Sequence, residues 1–123
     1  MHMASYKELK VWQKGIRLVK DIYRITASLP RTEMFGLADQ LRRASVSIPS
    51  NIAEGNGRHS RAEYTRFLNI ARGSCYEMET QIIICKELAY INEEEYKSLS
   101  GQISEIGRML NSMIQKLSSE SNP

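Results

Sequence analysis

"YKSLSGQISEIGRMLNSMIQKL", residues 96–117, places Tyr96, Leu99, Ile103, Ile106, Leu110, Met113 and Leu117 in unbroken steps of three and four. That spacing stacks apolar side chains along one side of an α-helix, whereas a strand would need a period of two. Asn92 and Glu95 stand just before the seam as a capping box, which fixes where the helix starts. A seam this regular needs other helices to cover it.

Three further segments carry the same signal. Ser60 and Glu63 form a capping box ahead of Tyr64, Phe67, Ala71, Cys75, Met78, Ile82, Cys85 and Ala89. Before it, a helix opening near Thr32 carries Met34, Leu37, Leu41, Ala44, Ile48 and Ile52, and Gly55-Asn56-Gly57 supplies residues suited to a helix end. The first helix is expected from the Ser5/Glu8 box to Leu29-Pro30, with Leu9, Trp12, Ile16, Val19, Tyr23 and Thr26 as its core stripe. Connections of a few residues force neighbours to lie antiparallel, so the expected fold is all-α: an up-down-up-down antiparallel four-helix bundle, with helix two kinked at Pro49. The bundle domain is placed at 6–117, with 1–5 a disordered N-terminus or cloning scar and 118–123 a disordered tail. Val11, Leu18, Ile25, Val46, Ile70, Ile83 and Ile84 lie off these stripes; self-association or a broad core stripe would account for them.

At 123 residues, 41% hydrophobic and 25% charged, the chain fits one ordinary globular domain. Cys75 and Cys85 are too few for a disulfide framework and lack zinc-site spacing. No apolar run approaches the roughly 20 residues of a membrane span. A soluble cytoplasmic protein without a membrane partner is expected. His2 and His59 are the only histidines and neither joins a Glu-x-x-His pair. With no nucleophile, base and orienter together and no phosphate loop, no catalytic residue, metal or cofactor is expected, and the chain does not read as an enzyme.

Charge is uneven. Residues 1–61 hold eleven Lys and Arg against five Asp and Glu, and the remainder six against nine. Such asymmetry suits an anionic partner, while a solvated face also explains moderate basic patches.

The basic half contains "RRASVSIPSNIAEGNGR", residues 42–58. Pro49 has no N–H for the carbonyl of Ser45, and Ser45, Ser47, Ser50 and Asn51 are near enough to serve freed backbone groups. The segment either lets helix two wrap its neighbours or shapes a polar surface bounded by Arg42, Arg43, Arg58 and Arg61. Arginine's planar fork matches phosphate, which makes these four, with Lys10, Lys14 and Arg17 on helix one, the candidate nucleic-acid contacts. Lys7 and Arg24 extend the helix-one stripe and Lys20 flanks it; the stripe is equally a water face. His59 and Tyr64 are near enough in sequence to stack on bases, although Tyr64 also begins the helix-three seam.

"YKELKVWQKGIRLVKDIY", "GLADQLRRASVSIPSNIAEGNGR" and "EYTRFLNIARGSCYEMETQI" together resemble, in the same order, the four-helix bundle family encoded within intervening sequences of bacterial 23S ribosomal RNA genes. The resemblance runs from about Tyr6 to Leu117, with Asn56 standing where the family more often has an aromatic residue. It implies a ring-like homopentamer, and places the family's central motif on Arg42, Arg43, Ser47, Pro49, Asn51, Glu54, Gly55 and Arg58. The accessory protein of diversity-generating retroelements is similar, a basic pentameric barrel that engages a reverse transcriptase and nucleic acid. Two functions follow: a non-catalytic homo-oligomer binding RNA or DNA, ribosomal RNA among the candidates, or a scaffold docking a partner protein such as a reverse transcriptase.

Overall fold

In the computed structural model, which describes residues 5–120, the chain forms α1 (Lys10–Thr26), α2 (Leu37–Asn56), α3 (Arg61–Glu87) and α4 (Glu93–Glu120), with 3-10 turns at Tyr6–Glu8 and Arg31–Glu33. Residues 1–4 and 121–123, to which the expected disordered ends largely belong, lie outside that range. Ser118 to Glu120 continue α4 and so correct the expected start of the tail.

Each helix packs on the next in chain order and α4 returns to α1. The contacts run in opposite senses along each pair. Gly15 meets Pro49 while Thr26 meets Arg42; Gly55 meets Phe67 while Ser47 meets Ser74; Lys86 meets Glu93 while Arg72 meets Asn111; and Lys14 meets Glu105 while Asp21 meets Gln102. Neighbouring helices are therefore antiparallel. The centre is filled by Leu18 and Ile22 of α1, Leu41, Ile48 and Ile52 of α2, Leu68, Met78 and Ile82 of α3, and Leu99, Ile103, Ile106 and Leu110 of α4, all fully buried. Burying each such side chain is worth about 1.5–3 kcal/mol.

The α3 and α4 seams and most of α2 face this core. On α1 the assignment reverses: Val11, Gly15, Leu18, Ile22 and Ile25 are buried, while Ile16 and Tyr23 of the expected stripe are 43% and 46% exposed. Gly15 explains the choice. The absent side chain brings α1 against Pro49, whose Cβ would lie 3.4 Å from a Cβ at that position.

Several boundaries also move. The Ser5 hydroxyl accepts from Lys7 N and caps the first 3-10 turn, while α1 itself starts at Lys10 behind extended Leu9. The fold-back sets Tyr6 edge-on to Trp12, with centroids 5.4 Å apart. Thr32 lies in the second 3-10 turn and Met34 is exposed, so α2 begins five residues later than Thr32, at Leu37. Its cap is Glu33, whose Oε1 accepts from Leu37 N at 3.3 Å and whose Oε2 accepts from the Tyr90 hydroxyl at 3.0 Å. Asn92 and Glu95 make the full reciprocal box expected of them. At the end of α3, Ala89 is exposed rather than part of the seam and holds a left-handed φ of 60°. Its N–H reaches Lys86 O, and Tyr90 N reaches Cys85 O, the pattern of a Schellman cap normally made with glycine.

Candidate nucleic-acid interface

The residues of the central motif first serve the joints of α2. The helix runs through Pro49 as one element. Ser45, completely buried, donates its hydroxyl to Arg42 O at 2.8 Å. Asn51 Nδ2 donates to the backbone and side-chain oxygens of Ser47, and Ser74 Oγ of α3 donates to Ser47 Oγ at 2.8 Å. Gly55 is not a left-handed terminus. It lies within α2, where an added Cβ would stand 2.8 Å from Phe67 Cβ and 3.0 Å from Tyr64 Cδ1. Pro49 thus fits α2 to α1, and Ser47 and Gly55 fit it to α3.

The arginines are not one cluster. Arg42 lies within α2 and Arg58 two residues past its end; from Arg42 to the last helical residue, Asn56, is already about 21 Å at a rise of 1.5 Å per residue. Arg43 pairs with Asp39 at 3.0 Å, one turn earlier on the same helix. Arg58 pairs with Glu54 at 3.2 Å and lies 5.0 Å from the centroid of the Phe67 ring. Arg61 is exposed at the start of α3 and is not without a partner. Arg42 differs: its Nε donates to Thr26 Oγ1 at 2.8 Å, and its guanidinium sits over the Tyr23 ring at 5.1 Å. Thr26 in turn donates to Ile22 O at 2.6 Å.

The basic residues of α1 occupy its other flank. Lys14 reaches across to Glu105 of α4 at 3.1 Å. Lys10 and Arg17, four residues before and three after, share that flank. Both are exposed, as are Lys7 and Lys20, and none of their side chains has a partner among the described residues. Arg24 is paired with Asp21. The seven candidate contacts therefore divide into three groups: Lys10, Lys14 and Arg17 beside α4; Arg42 and Arg43 beside the C-terminal end of α1; and Arg58 and Arg61 at the α2–α3 turn. His59 is exposed, whereas Tyr64 packs on the core and accepts from Asn56 Nδ2 at 3.2 Å.

Two features escape sequence reading. Arg66 pairs with Glu63 and lies 4.4 Å from the Phe67 centroid, so that ring carries two guanidinium groups; hydrogen bonding to Arg66 and its charge hold the Glu63 carboxyl below the usual range. The helical step from Glu63 to Arg66 and Phe67 was the available signal. Arg31 of the second 3-10 turn shares a cavity with Arg42, a meeting across a turn with no periodic trace. Among the described residues no three His, Cys, Asp or Glu side chains gather as a metal would require, and no helix is long and apolar enough to cross a membrane.

Comparison with known proteins places these features. The family model described as 23S rRNA-intervening sequence protein matches residues 7–112. A solved structure of a protein with unknown function, from the S23 ribosomal protein family of Bacteroides thetaiotaomicron, is similar with a TM-score of 0.80 and 30% identity, covering 85% of this chain and 97% of that one. No curated protein matches.

Proposed function

The chain belongs to the 23S rRNA-intervening sequence protein family, and on that premise we propose that it is a non-catalytic homo-oligomer that binds RNA or DNA through phosphate contacts. The observation that carries the reading is the unneutralised flank of α1, where Lys10, Arg17 and Lys20 are exposed without an acidic partner among the described residues. Arg43 is paired with Asp39 and Arg58 with Glu54, so both contribute less. Exposed pairs of this kind are worth about 0–1 kcal/mol and are screened by salt, so a phosphate can still compete for either arginine.

Assembly rests on two apolar faces that a monomer leaves in water. One is the α1–α2 groove around Trp12, Ile16, Val19 and Val46; the other is the outer side of α3, where Ile70 and Ile84 are each 41% exposed. Two unlike faces on one protomer suit head-to-tail contacts, which form a ring where the rotation between subunits closes. A pentamer, as the family resemblance implies, would carry a formal charge on the order of +15 and attract nucleic acid without reading its sequence.

The test is titration of labelled ribosomal RNA fragments and random single- and double-stranded controls at two salt concentrations. Three phosphates neutralised per site give a log–log salt slope of about −2 to −3, or roughly 20- to 50-fold weaker binding from 50 to 200 mM salt. A Lys10→Gln/Arg17→Gln/Lys20→Gln variant should assemble normally and bind with a shallower slope. Binding insensitive to salt, or unchanged in that variant, would refute the proposal.

A second reading has its own observation. Phe35 is 91% exposed, beside exposed Met34, in the α1–α2 connection. An aromatic residue held in water at a turn suits a protein contact. One stoichiometric protein partner that survives nuclease treatment and is lost in Phe35→Ser would favour the scaffold.

A further inference from the structure

Thr26, Arg31, Arg42, Leu29, Pro30 and Met34 line a cavity of about 300 Å³ where the end of α1 meets the start of α2. It is polar on one side and apolar on the other. The polar side is built around Arg42, whose Nε is held by Thr26 Oγ1 and whose plane is supported by Tyr23, so the guanidinium is fixed before any ligand arrives. The four N–H groups on its two terminal nitrogens have no partner among the described residues, and neither has the side chain of Arg31.

No acidic residue lines the cavity. The nearest carboxylates in sequence are engaged elsewhere, Asp39 with Arg43 and Glu33 with Leu37 N and Tyr90. At the end of α1 the carbonyls of Tyr23, Ile25 and Thr26 are occupied, accepting from the N–H groups of Ala27, Ser28 and Leu29. Two arginines and no acidic residue therefore border one small space, although Arg42 also borders the neighbouring pocket that contains Asp39. The best match is a dianion small enough to enter and attached to a body that can lie on Leu29, Pro30 and Met34.

We propose that this cavity binds a phosphomonoester carried on a nucleoside. A phosphomonoester has about two negative charges at neutral pH and three strong acceptor oxygens, which suits two arginine forks. An internal phosphodiester or a carboxylate brings one charge and leaves one guanidinium uncompensated. The nucleoside can be a free nucleotide or the phosphorylated end of a strand. The site does not depend on the α1 basic flank, so it stands or falls apart from general nucleic-acid binding.

The experiment uses calorimetric titration of the full chain with AMP, adenosine and the methyl ester of AMP, a monoanion of nearly the same shape, together with one short RNA carrying either a 5′-phosphate or a 5′-hydroxyl. Arg31→Gln is the first variant, because the Arg31 side chain makes no bond among the described residues while its backbone carbonyl still accepts from Met34 N; Arg42→Lys keeps the charge but loses the fork. AMP should bind, adenosine should not, the methyl ester should bind at least about tenfold more weakly, and both variants should weaken AMP by a similar factor. A 5′-phosphate preference in the RNA pair identifies a strand end as the natural source; AMP binding without that preference identifies a free nucleotide. Equal behaviour of AMP and adenosine, or AMP binding undiminished in both variants, would overturn the site. Salt-sensitive RNA binding that ignores the 5′ group, with no AMP binding, would also overturn it while leaving the proposed function intact.

Discussion

Gly55→Ala should destabilise the protein, whereas the same change at Gly73 or Gly101 should stabilise it. All three glycines lie inside helices, so each alanine gains roughly 0.8–1 kcal/mol of helix propensity. Around Gly73 and Gly101 nothing lies within 4 Å of the new Cβ. At Gly55 it would meet Phe67 Cβ at 2.8 Å and the Tyr64 backbone oxygen at 3.3 Å, atoms that cannot swing aside as the tip of a side chain can. Overpacking of this kind costs about 1–3 kcal/mol. Subtracting one glycine variant from another cancels propensity, so the stability difference between Gly55→Ala and Gly73→Ala should equal the steric cost alone. For a domain of this size that is about 3–15 °C in Tm. Urea and thermal denaturation at one fixed protomer concentration would measure it, since assembly ties stability to concentration. If the variants shifted together by the same amount, the close α2–α3 approach would not be what selects glycine here.

Ala89→Gly should stabilise by about 1 kcal/mol, because a left-handed φ of 60° penalises any Cβ, and denaturation midpoints would show it. Burial pushes the Cys75 thiol up to about 12 and the Cys85 thiol to about 11, from 9.0, with Glu79 and Glu33 adding to the respective shifts. The folded state thus keeps protons that the unfolded chain releases, so this stabilisation is complete below about pH 9 and drains as pH rises through 11 and 12. The stability difference between wild type and a Cys75→Ala/Cys85→Ala variant should shrink over that window; a constant difference would count against it. Both thiols should also react slowly with a disulfide reagent at pH 8 until denaturant is added.

The helical class, the α4 seam, the α3 seam up to Cys85 and the Asn92/Glu95 cap could be read directly, because α3 and α4 each carry one dominant three-four series with no competitor of the same length. Helix α1 did not. Its residues Val11, Gly15, Leu18, Ile22 and Ile25 form one three-four series, and Leu9, Trp12, Ile16, Val19, Tyr23 and Thr26 another, turned by one residue. Periodicity cannot rank two series of the same period. The arbiter is Gly15, small enough to let Pro49 approach, and that contact joins positions 34 residues apart. The same limit scattered the arginines: sequence places Arg42 and Arg58 in one motif, while the helix rise separates Arg42, in the first half of α2, from Arg58, just past its end.

The orientation of α1 has a functional consequence. Its apolar series faces the α2 side, where Tyr6, Trp12, Ile16, Val19, Val46 and Pro49 line one groove, and Lys14 marks the opposite flank by its bond to α4. If subunits join through the groove, assembly covers the apolar flank and leaves Lys10 and Arg17 in water. Arg42 and Arg43, beside Tyr23 and Val46, lie at the margin of the joint. The two halves of the proposed function are then separable. Ile16→Glu places a charge in the groove and should yield monomers in size-exclusion chromatography with light scattering, while retaining the helical signal. Those monomers keep the α1 basic flank and should bind RNA with the same salt slope per protomer, but more weakly because linked sites no longer act together. The Lys10/Arg17/Lys20 variant should do the reverse, assembling fully and binding RNA more weakly with a shallower salt slope. If Ile16→Glu left the assembly unchanged, the exposed α1 series would not be the subunit joint; if it abolished binding at every salt concentration, the basic flank would not be a binding surface in its own right.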